Sequence, residues 1–187
     1  MDETQAIAQM RCGDIGGLEF VVRQYQVRAV RSAYLVTHDL PLAQDVVQAA
    51  FIKAWERISQ FDPRRPFGPW FYTIVLRDAV KASRRRDQQT SLDGIEEDEP
   101  GPNAGVLADA RPGPEALREQ AETAEEVWAA LQRLTPTQRA AVVARYFLDM
   151  NEAETAQALT APVSTIKWRL YAARQRLRLF LHPLATK

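Results

Sequence analysis

The chain has 187 residues, 46% hydrophobic and 26% charged, with a formal net charge of zero, which is typical of a globular protein rather than a wholly disordered one. Its single cysteine, its two histidines and the absence of any apolar run of ~18 residues argue against a disulfide scaffold, a His/Cys metal site and a membrane span. The acidic, polar start argues against a secretion signal, and the sequence has no glycine-rich phosphate loop or G-x-S-x-G motif, so we expect a cytoplasmic protein that is not an enzyme and has no cofactor.

The charges are distributed unevenly along the chain. Residues 1–86 carry 13 basic and 9 acidic side chains, residues 87–130 carry 2 and 12, and residues 131–187 carry 9 and 3. The net charges of these segments are therefore +4, −10 and +6. Two basic segments around an acidic one indicate a polyanionic partner that is contacted at two places.

The N-terminal segment predicts three amphipathic helices. Apolar residues recur at three- and four-residue steps over residues 4–11, over residues 18–36, and again from Ala43 to Ile58. Asp39 is the predicted N-cap of the third helix, and Pro41 fits its first turn. The opposite side of this helix holds an isoleucine among polar residues, which is either accidentally exposed or part of a protein contact. That face consists of Asp45, Gln48, Ala49, Ile52 and Glu56.

Residues 61–86 combine aromatic and basic side chains. A loop with two prolines precedes a helix pattern whose apolar half comes first and whose cationic half comes last. Aromatic rings that stack on bases and cations that follow phosphates are the groups that hold single-stranded nucleic acid. The core spacing of Trp70, Phe71 and Ile74 favours burial for these three. The aromatic and basic residues of the segment are Phe61, Arg64, Arg65, Phe67, Trp70, Phe71, Tyr72, Arg77, Lys81, Arg84, Arg85 and Arg86.

Residues 91–114 are predicted to be a flexible acidic linker. Four glycines and four prolines lie within this stretch, together with the acidic run Glu96–Glu99 and almost no large apolar side chain. Such a segment buries too little apolar surface to fold. The chain is therefore predicted to be all-α, with one small helical domain at residues 1–90 and another at residues 115–187.

The second domain contains two strong helix-start signals. Thr135 and Gln138 form a capping box, in which each side chain bonds to the other residue's backbone N–H, and Pro136 fits the first helical position. Asn151 and Glu154 repeat the cap-and-acid arrangement for a short helix.

A turn at residues 160–162 and a basic helix that begins near residue 163 complete the layout of a helix-turn-helix. Spacing predicts that one stripe of the last helix is buried, and the outward groups can pair with base edges and phosphates in a major groove. A solvated basic face would explain the cations but not the exposed aromatics. The predicted buried residues are Val163, Ile166, Leu170, Ala173 and Leu177, and the predicted outward residues are Ser164, Thr165, Lys167, Trp168, Tyr171 and Arg174.

These motifs together resemble the extracytoplasmic-function (ECF) sigma factors of bacterial RNA polymerase, in the sigma-70 family. DVVQAAFIKAW at residues 45–55, FDP at 61–63 and PFGPWFYTI at 66–74 resemble region 2 of that family. LTPTQR at 134–139, RYF at 145–147, ETA at 154–156 and PVSTIKWRL at 162–170, with ARQRL at 173–177, resemble region 4. The match is in the family's order and covers most of the chain outside the predicted linker.

The resemblance implies an alternative sigma factor that binds core RNA polymerase and directs promoter-specific initiation. It implies that region 2 binds the clamp helices of the polymerase β′ subunit and melts the −10 element, and that region 4 binds the β flap and reads the −35 duplex. It also implies an anti-sigma factor as a partner. The implied residues are Asp45, Gln48, Ile52 and Glu56 for polymerase; Phe61, Arg64, Arg65, Arg77, Lys81, Arg84 and Arg85 for the −10 element; and Ser164, Thr165, Lys167, Trp168, Tyr171 and Arg174 for the −35 element.

The chain departs from the family pattern at several positions. The family usually has an acid at the position of Ala49, a glycine at that of Thr160 and a cation at that of Ala172, and it commonly has Asn and Asp where Arg77 and Lys81 align. Two other functions therefore stay open at this point. One is a stand-alone helix-turn-helix regulator that binds duplex DNA as a dimer, and the other is an interaction module of sigma-like fold that does not read DNA.

Overall fold

The structure is a computed structural model that describes residues 1–93 and 126–181. Within these ranges all regular elements are helical, which confirms the predicted all-α fold of two small domains. We call residues 1–93 the N-terminal lobe and residues 126–181 the C-terminal lobe. The N-terminal lobe contains α1 (Glu3–Arg11), α2 (Ile15–Thr37), α3 (Leu40–Glu56) and α4 (Phe67–Asp93), and the C-terminal lobe contains α5 (126–132), α6 (Pro136–Val142), α7 (Glu152–Ala158) and α8 (Val163–Leu181).

Aspartates begin the first three helices. Asp2, Asp14 and Asp39 each accept a hydrogen bond from a backbone N–H of the first turn, which supplies a partner that the helix itself lacks. The Asp39 cap and Pro41 in the first turn of α3 are as the sequence predicts. The apolar stripe of α3 is buried against α2 and α4, which fixes its polar face outward.

Aromatic rings form the core at the start of α4. Phe61, Phe67 and Phe71 are each at most 2% exposed. Phe67 and Phe71 pack against the ring of Tyr25 on α2, and Phe61 packs against Phe67. The Tyr25 hydroxyl donates a hydrogen bond to Glu3 on α1, and burial together with this bond raises the pKa of Tyr25. These contacts hold α1, α2 and α4 together.

Helix α4 continues to Asp93, so residues 91–93, the start of the predicted linker, are helical. The physical reason is that no glycine or proline interrupts the chain between Pro69 and Gly94. The rest of the predicted linker, together with residues 115–125 of the predicted second domain, lies outside the described residues.

Both predicted capping boxes of the C-terminal lobe are present. Thr135 caps α6 with Gln138, and Asn151 caps α7 with Glu154. A π-helical segment, Val143–Phe147, continues from α6. These elements lead into the turn before α8.

Helix α8 buries the predicted stripe except at its first residue. Ile166, Leu170 and Ala173 are at most 4% exposed, and Leu177 is half-buried. Val163 is 41% exposed, so the prediction of its burial is wrong. It lies at the first position of the helix, where the chain leaves the turn, and one turn of helix must pass before the stripe meets α6 and α7.

Candidate nucleic-acid interface

The outward side of α8 carries the side chains that the sequence predicts there. Trp168 is 64% exposed and Tyr171 57% exposed, whereas Ile166 and Leu170 on the other side pack against Ala141 and Ala156. Large exposed aromatics have no role in the lobe's own core. Ser164, Lys167 and Arg174 are also exposed, and Thr165 is half-buried.

The cations of this face have weak partners within the chain. The Lys167 ammonium lies 3.5 Å from a Glu152 carboxylate oxygen, and the two side chains are 62% and 44% exposed. Arg174 Nε donates to the Leu170 carbonyl oxygen at 3.3 Å. Exposed pairs of this kind contribute about 0–1 kcal/mol, so a phosphate can replace the carboxylate at little cost.

A second group of cations follows one side of α4. Arg77, Lys81, Arg84 and Arg85 stand at steps of four, three and one residues, and all four are exposed. Arg84 is also near Arg169 of α8, and burial followed by this like charge lowers the pKa of Arg169. The two predicted nucleic-acid surfaces therefore lie close to each other in this structure.

Arg64 and Arg65 lie in the turn that precedes α4. Asp62 orders this turn, because its side chain accepts from the Arg64 N–H at 3.0 Å and its carbonyl oxygen accepts from the Arg65 N–H at 3.0 Å. Both arginine side chains are exposed. Arg65 Nε lies 3.9 Å from an Asp62 carboxylate oxygen, in an exposed ion pair that a phosphate can replace at little cost.

The prediction that Phe61 contacts nucleic acid is not supported by its position. Its side chain is 2% exposed and packs edge-on against Phe67 at a centroid distance of 5.5 Å. Phe67, Phe71 and Tyr72 are also buried, so these rings cannot stack on bases in this conformation. The reason is that the apolar area of the rings completes the core between α2 and α4. Trp70, at core spacing, is half-buried.

The predicted polymerase-contact face of α3 is on the surface. Asp45, Gln48, Ile52 and Glu56 follow the steps of one helix face, and Ile52 is 53% exposed. On the opposite face Val47 and Phe51 are buried. An exposed isoleucine between polar side chains is the arrangement found in the centre of many protein interfaces.

A groove of about 250 Å³ joins the α3 face to the basic side of α4. Asp45 and Lys53 line it from α3, and Lys81 and Arg85 line it from α4. Lys53 is fixed by an ion pair with Asp78 of α4, with 2.7 Å between Nζ and the carboxylate oxygen. The two predicted contact surfaces of the N-terminal lobe are therefore continuous.

Contacts between the lobes involve residues to which the sequence gives no role. Trp128 of α5 is buried against Tyr34 of α2 and against His38, the residue that follows α2. Arg28 of α2 forms an ion pair with Asp149. A tryptophan near the end of the acidic segment is the only sequence sign of this contact. The described residues contain no group of three or more His, Cys, Asp or Glu side chains that could hold a metal ion.

Family profiles match the chain in two places. The profile for sigma-70 region 2 matches residues 21–89, and the profile for sigma-70 region 4 matches residues 124–177. The chain is a sigma factor of the sigma-70 family, in the ECF group. The matched ranges place α3 and most of α4 in region 2, and α7 and most of α8 in region 4.

Similar proteins span nearly the whole chain. The RNA polymerase sigma-H factor of Pseudomonas aeruginosa is 28% identical and covers 97% of this chain and 95% of its own length. The ECF sigma factor SigW of Bacillus subtilis is 26% identical, with 95% and 96% covered, and the ECF sigma-E factor of Escherichia coli K12 is 29% identical, with 95% and 93% covered.

Two solved structures share the fold. CnrH, in complex with the cytosolic domain of CnrY, has a TM-score of 0.65, 23% identity and coverage of 97% of both chains. The sigma factor RpoE of Bartonella quintana, in complex with the anti-sigma factor NepR, has a TM-score of 0.66, 24% identity and coverage of 88% of this chain and 97% of its own.

Sigma factors are initiation factors without an active site, so the sigma factor described here is not an enzyme. It binds core RNA polymerase and promoter DNA and directs promoter-specific transcription initiation. The region 2 match gives the N-terminal lobe a function that a stand-alone helix-turn-helix regulator would not use. No helix among the described residues is long and apolar enough to cross a membrane.

Proposed function

We propose that the two lobes divide promoter recognition between them, in the cytoplasm where the polymerase and the chromosome are. The N-terminal lobe binds the clamp helices of the β′ subunit with the α3 face and holds the melted −10 strand with Arg64, Arg65 and the basic side of α4. The C-terminal lobe binds the β flap and reads the −35 duplex with the outward side of α8. The observation that carries this proposal is the exposure of Lys167, Trp168 and Tyr171 on a helix whose opposite side is buried.

The burial of Phe61 changes one part of the predicted −10 set. The cations of the Asp62 turn are exposed and the ring of Phe61 is not, so the first contact with the strand is assigned to Arg64 and Arg65. Extruding a base costs a few kcal/mol, which these contacts and the cations of α4 must recover.

An anti-sigma factor is a further proposed partner. The solved RpoE structure of the same fold contains one, NepR. The exposed aromatic and aliphatic side chains of both lobes, Ile52, Trp168 and Tyr171 among them, offer apolar area that such a protein would cover.

The polymerase contact is tested by placing a charge in the α3 face. Ile52→Asp should weaken binding to core RNA polymerase by about tenfold or more, because a carboxylate would enter an apolar part of the interface. The matched control is Ile15→Asp, which changes an isoleucine that is 67% exposed at the start of α2, outside the proposed face. Circular dichroism should show unchanged helix content in both. Equal core affinity of the two variants would mean that the face is misassigned.

The division of labour between the lobes is tested with a premelted promoter. Arg64→Ala and Arg65→Ala should impair transcription from duplex DNA and recover part of it on a template with a mismatched −10 bubble, because the melting cost is removed. Lys167→Ala and Arg174→Ala should weaken duplex binding, by ~1–3 kcal/mol where the side chain makes a bidentate base contact, and gain nothing from the bubble. Equal recovery of both pairs, or of neither, contradicts the assignment.

A further inference from the structure

Helix α1 is bonded to both ends of the Asp62 turn, which is residues 61–66. At the first end, Arg11 Nη2 donates a hydrogen bond to the Phe61 carbonyl oxygen at 2.5 Å. At the other end, the Phe67 N–H, directly after the turn, donates to a Glu3 carboxylate oxygen at 3.4 Å. Glu3 and Arg11 are the first and last residues of α1, so this one helix spans the turn.

The start of α4 takes its cap from α1. The residue before α4 is Pro66, which has no side-chain oxygen, whereas an aspartate precedes each of the first three helices. The first N–H groups of a helix have no partner within that helix. The carboxylate of Glu3 supplies a partner for Phe67, and its negative charge is favourable at the positive end of the α4 dipole.

Tyr25 of α2 holds Glu3 in this position. The Tyr25 hydroxyl donates to the second carboxylate oxygen of Glu3, and the Gly68 backbone is also hydrogen-bonded to this hydroxyl. A Cβ atom at Gly68 would lie 3.2 Å from the Tyr25 ring, so the absence of a side chain there allows the close approach. The two oxygens of Glu3 therefore connect α1 to α2 and to the first turn of α4.

The Asp62 turn carries the two exposed arginines that are proposed to contact the −10 strand. Phe61 and Phe67, on either side of it, are at most 2% exposed, and the Asp62 side chain accepts from the Arg64 N–H within it. Arg11 and Glu3 add a polar bond at each end. The backbone that bears Arg64 and Arg65 is therefore fixed relative to the rest of the N-terminal lobe.

A fixed turn favours the capture of an extruded base. Ordering a loop during binding subtracts from the affinity, and a displacement of about 1 Å can remove much of the benefit of a well-placed contact. Groups that hold a site in its binding position therefore raise affinity without touching the ligand. The region 2 profile begins at residue 21, so the family match assigns no such role to α1.

We propose that Glu3 and Arg11 are positioning residues for −10 recognition. Helix α1 sets the position of the Asp62 turn, and through the turn it sets how Arg64 and Arg65 meet the melted strand. Glu3 and Arg11 act through the turn and do not contact the DNA. The proposal rests on the proposed function, because that function assigns the −10 strand to Arg64 and Arg65.

The contact at the first end of the turn is tested with variants of Arg11. The rate of promoter opening is measured with holoenzyme, from the fluorescence of a 2-aminopurine that replaces the extruded −10 base and brightens when it leaves the stack. Arg11→Met keeps the length of the side chain and loses every N–H donor, so the rate should fall by about five- to fiftyfold. Arg11→Lys keeps a charged donor and should lie between this variant and the wild type. Arg23→Met, at an exposed arginine of α2 that pairs with Glu19, is the matched control and should leave the rate unchanged.

Variants of Glu3 test the other end of the turn. Glu3→Met removes both carboxylate oxygens and should slow opening in the same way as Arg11→Met. Glu3→Gln keeps an oxygen that can accept from the Phe67 N–H and should lie between Glu3→Met and the wild type. The matched control is Glu19→Met, since Glu19 is an exposed acid with its partner on the same helix. Opening at the wild-type rate in both Arg11→Met and Glu3→Met overturns the proposal.

Combined variants separate positioning from a general loss of stability. If Arg11 acts through the turn, Arg11→Met should slow opening much less in an Arg64→Ala/Arg65→Ala background than in the wild type. Affinity for core polymerase, which involves the α3 face, should equal that of the wild type in every variant. Effects that simply multiply, or a core affinity that falls together with the opening rate, would show a structural role only and overturn the proposal.

The Arg64→Ala/Arg65→Ala variant tells the failure of this proposal from the failure of the proposed function. Opening at the wild-type rate in that variant contradicts the assignment of the −10 strand to the turn. Slow opening in that variant, together with normal opening in Arg11→Met and Glu3→Met, contradicts the positioning role of α1 alone.

Discussion

Thr160 has a left-handed backbone, with φ at 48°, at the end of α7. The Thr160 N–H bonds to the Gln157 carbonyl oxygen and the Ala161 N–H bonds to the Ala156 carbonyl oxygen, which together form a Schellman motif. The left-handed residue of this motif is usually glycine, because a Cβ atom, and above all a branched one, is strained there. The departure from the family pattern at this position therefore has an energetic cost.

Thr160→Gly should stabilise the C-terminal lobe by about 1 kcal/mol. The left-handed conformation costs an L-residue roughly 1–2 kcal/mol, and glycine removes this cost. The greater conformational entropy of glycine in the unfolded chain offsets about half of that gain. Thr160→Ala keeps the Cβ atom and should change stability little. Urea unfolding measures both, and a glycine variant no more stable than the alanine variant would contradict the strain.

Individual side chains differ in how far the sequence predicts them. Ile52 and Trp168 lie on the polar sides of clearly periodic helices, so their exposure follows from the pattern. Phe61 lies in a loop, where no period applies, and its burial depends on Phe67 and Trp70 packing around it. The predicted burial of Val163 is wrong for a different reason. Val163 is the first residue of α8, where the buried stripe has not yet begun.

At the scale of elements, the crossing of α1 and α2 depends on one glycine. A Cβ atom at Gly17 would lie 2.2 Å from the Ala6 carbonyl oxygen and 2.9 Å from the Met10 backbone nitrogen. Both are backbone atoms of α1, which cannot rotate away. The neighbouring Gly16 would place its Cβ atom 3.2 Å from an Asp14 carboxylate oxygen, which is the end of an exposed side chain.

Gly17→Ala should therefore lower stability much more than Gly16→Ala. The first forces α1 away from α2 and should lower the free energy of unfolding by about 1–3 kcal/mol or more. The second keeps the crossing and gains helix propensity, worth up to about 1 kcal/mol less the cost of moving Asp14. Thermal unfolding of the two variants decides the point, and a Gly17→Ala protein as stable as the wild type would show that the helices are not in close contact.

Helix starts are predictable where a side chain supplies the missing partner of the backbone. Asp39, Thr135 and Asn151 are all found as caps, because capping is a local interaction between residues three positions apart. The end of α4 has no such local determinant, and the helix extends three residues beyond residue 90, the predicted end of the first domain.

The arrangement of the whole molecule is the part that the sequence does not predict. Trp128 is separated from Tyr34 by more than ninety positions, and neither the periodicity of α2 nor the composition of the acidic segment indicates that they meet. Arg77 has the pattern of a solvated or nucleic-acid-binding cation until the carbonyl oxygens of α7 are seen beside it. Contacts between separately folded parts leave no local pattern.

His38 lies in the contact between the lobes. Its side chain is 3% exposed against Trp128, and neither ring nitrogen makes a hydrogen bond of ordinary geometry. Burial, then the charge of Arg139 of α6, then that of Arg86 of α4, lower the pKa of His38 from 6.5 to about 3. Arg86 is itself paired with Asp39 at 3.3 Å.

Acid should therefore open the lobes. A histidine whose native pKa lies below its unfolded value binds fewer protons in the closed state, so its ring favours closure fully above about pH 6.5 and progressively less as the pH falls toward 3. Between pH 7 and pH 5 the contribution of His38 to closure falls by about 2 kcal/mol, which changes the equilibrium between closed and open lobes by up to roughly 25-fold. A native pKa near 3 leaves the ring of the closed state neutral throughout this range.

The effect is measured as the distance between spin labels at the exposed positions Gln24 of α2 and Arg178 of α8, in a Cys12→Ser background that removes the single native cysteine. His38→Phe is the variant that keeps an aromatic ring and loses the proton site. His182→Gln is the control at the other histidine. Only the slope of the label distance against pH is compared between the variants. The left-handed backbone at His38, with φ at 57°, makes the phenylalanine variant less stable at every pH. A slope that persists in His38→Phe would assign the acid response to another group.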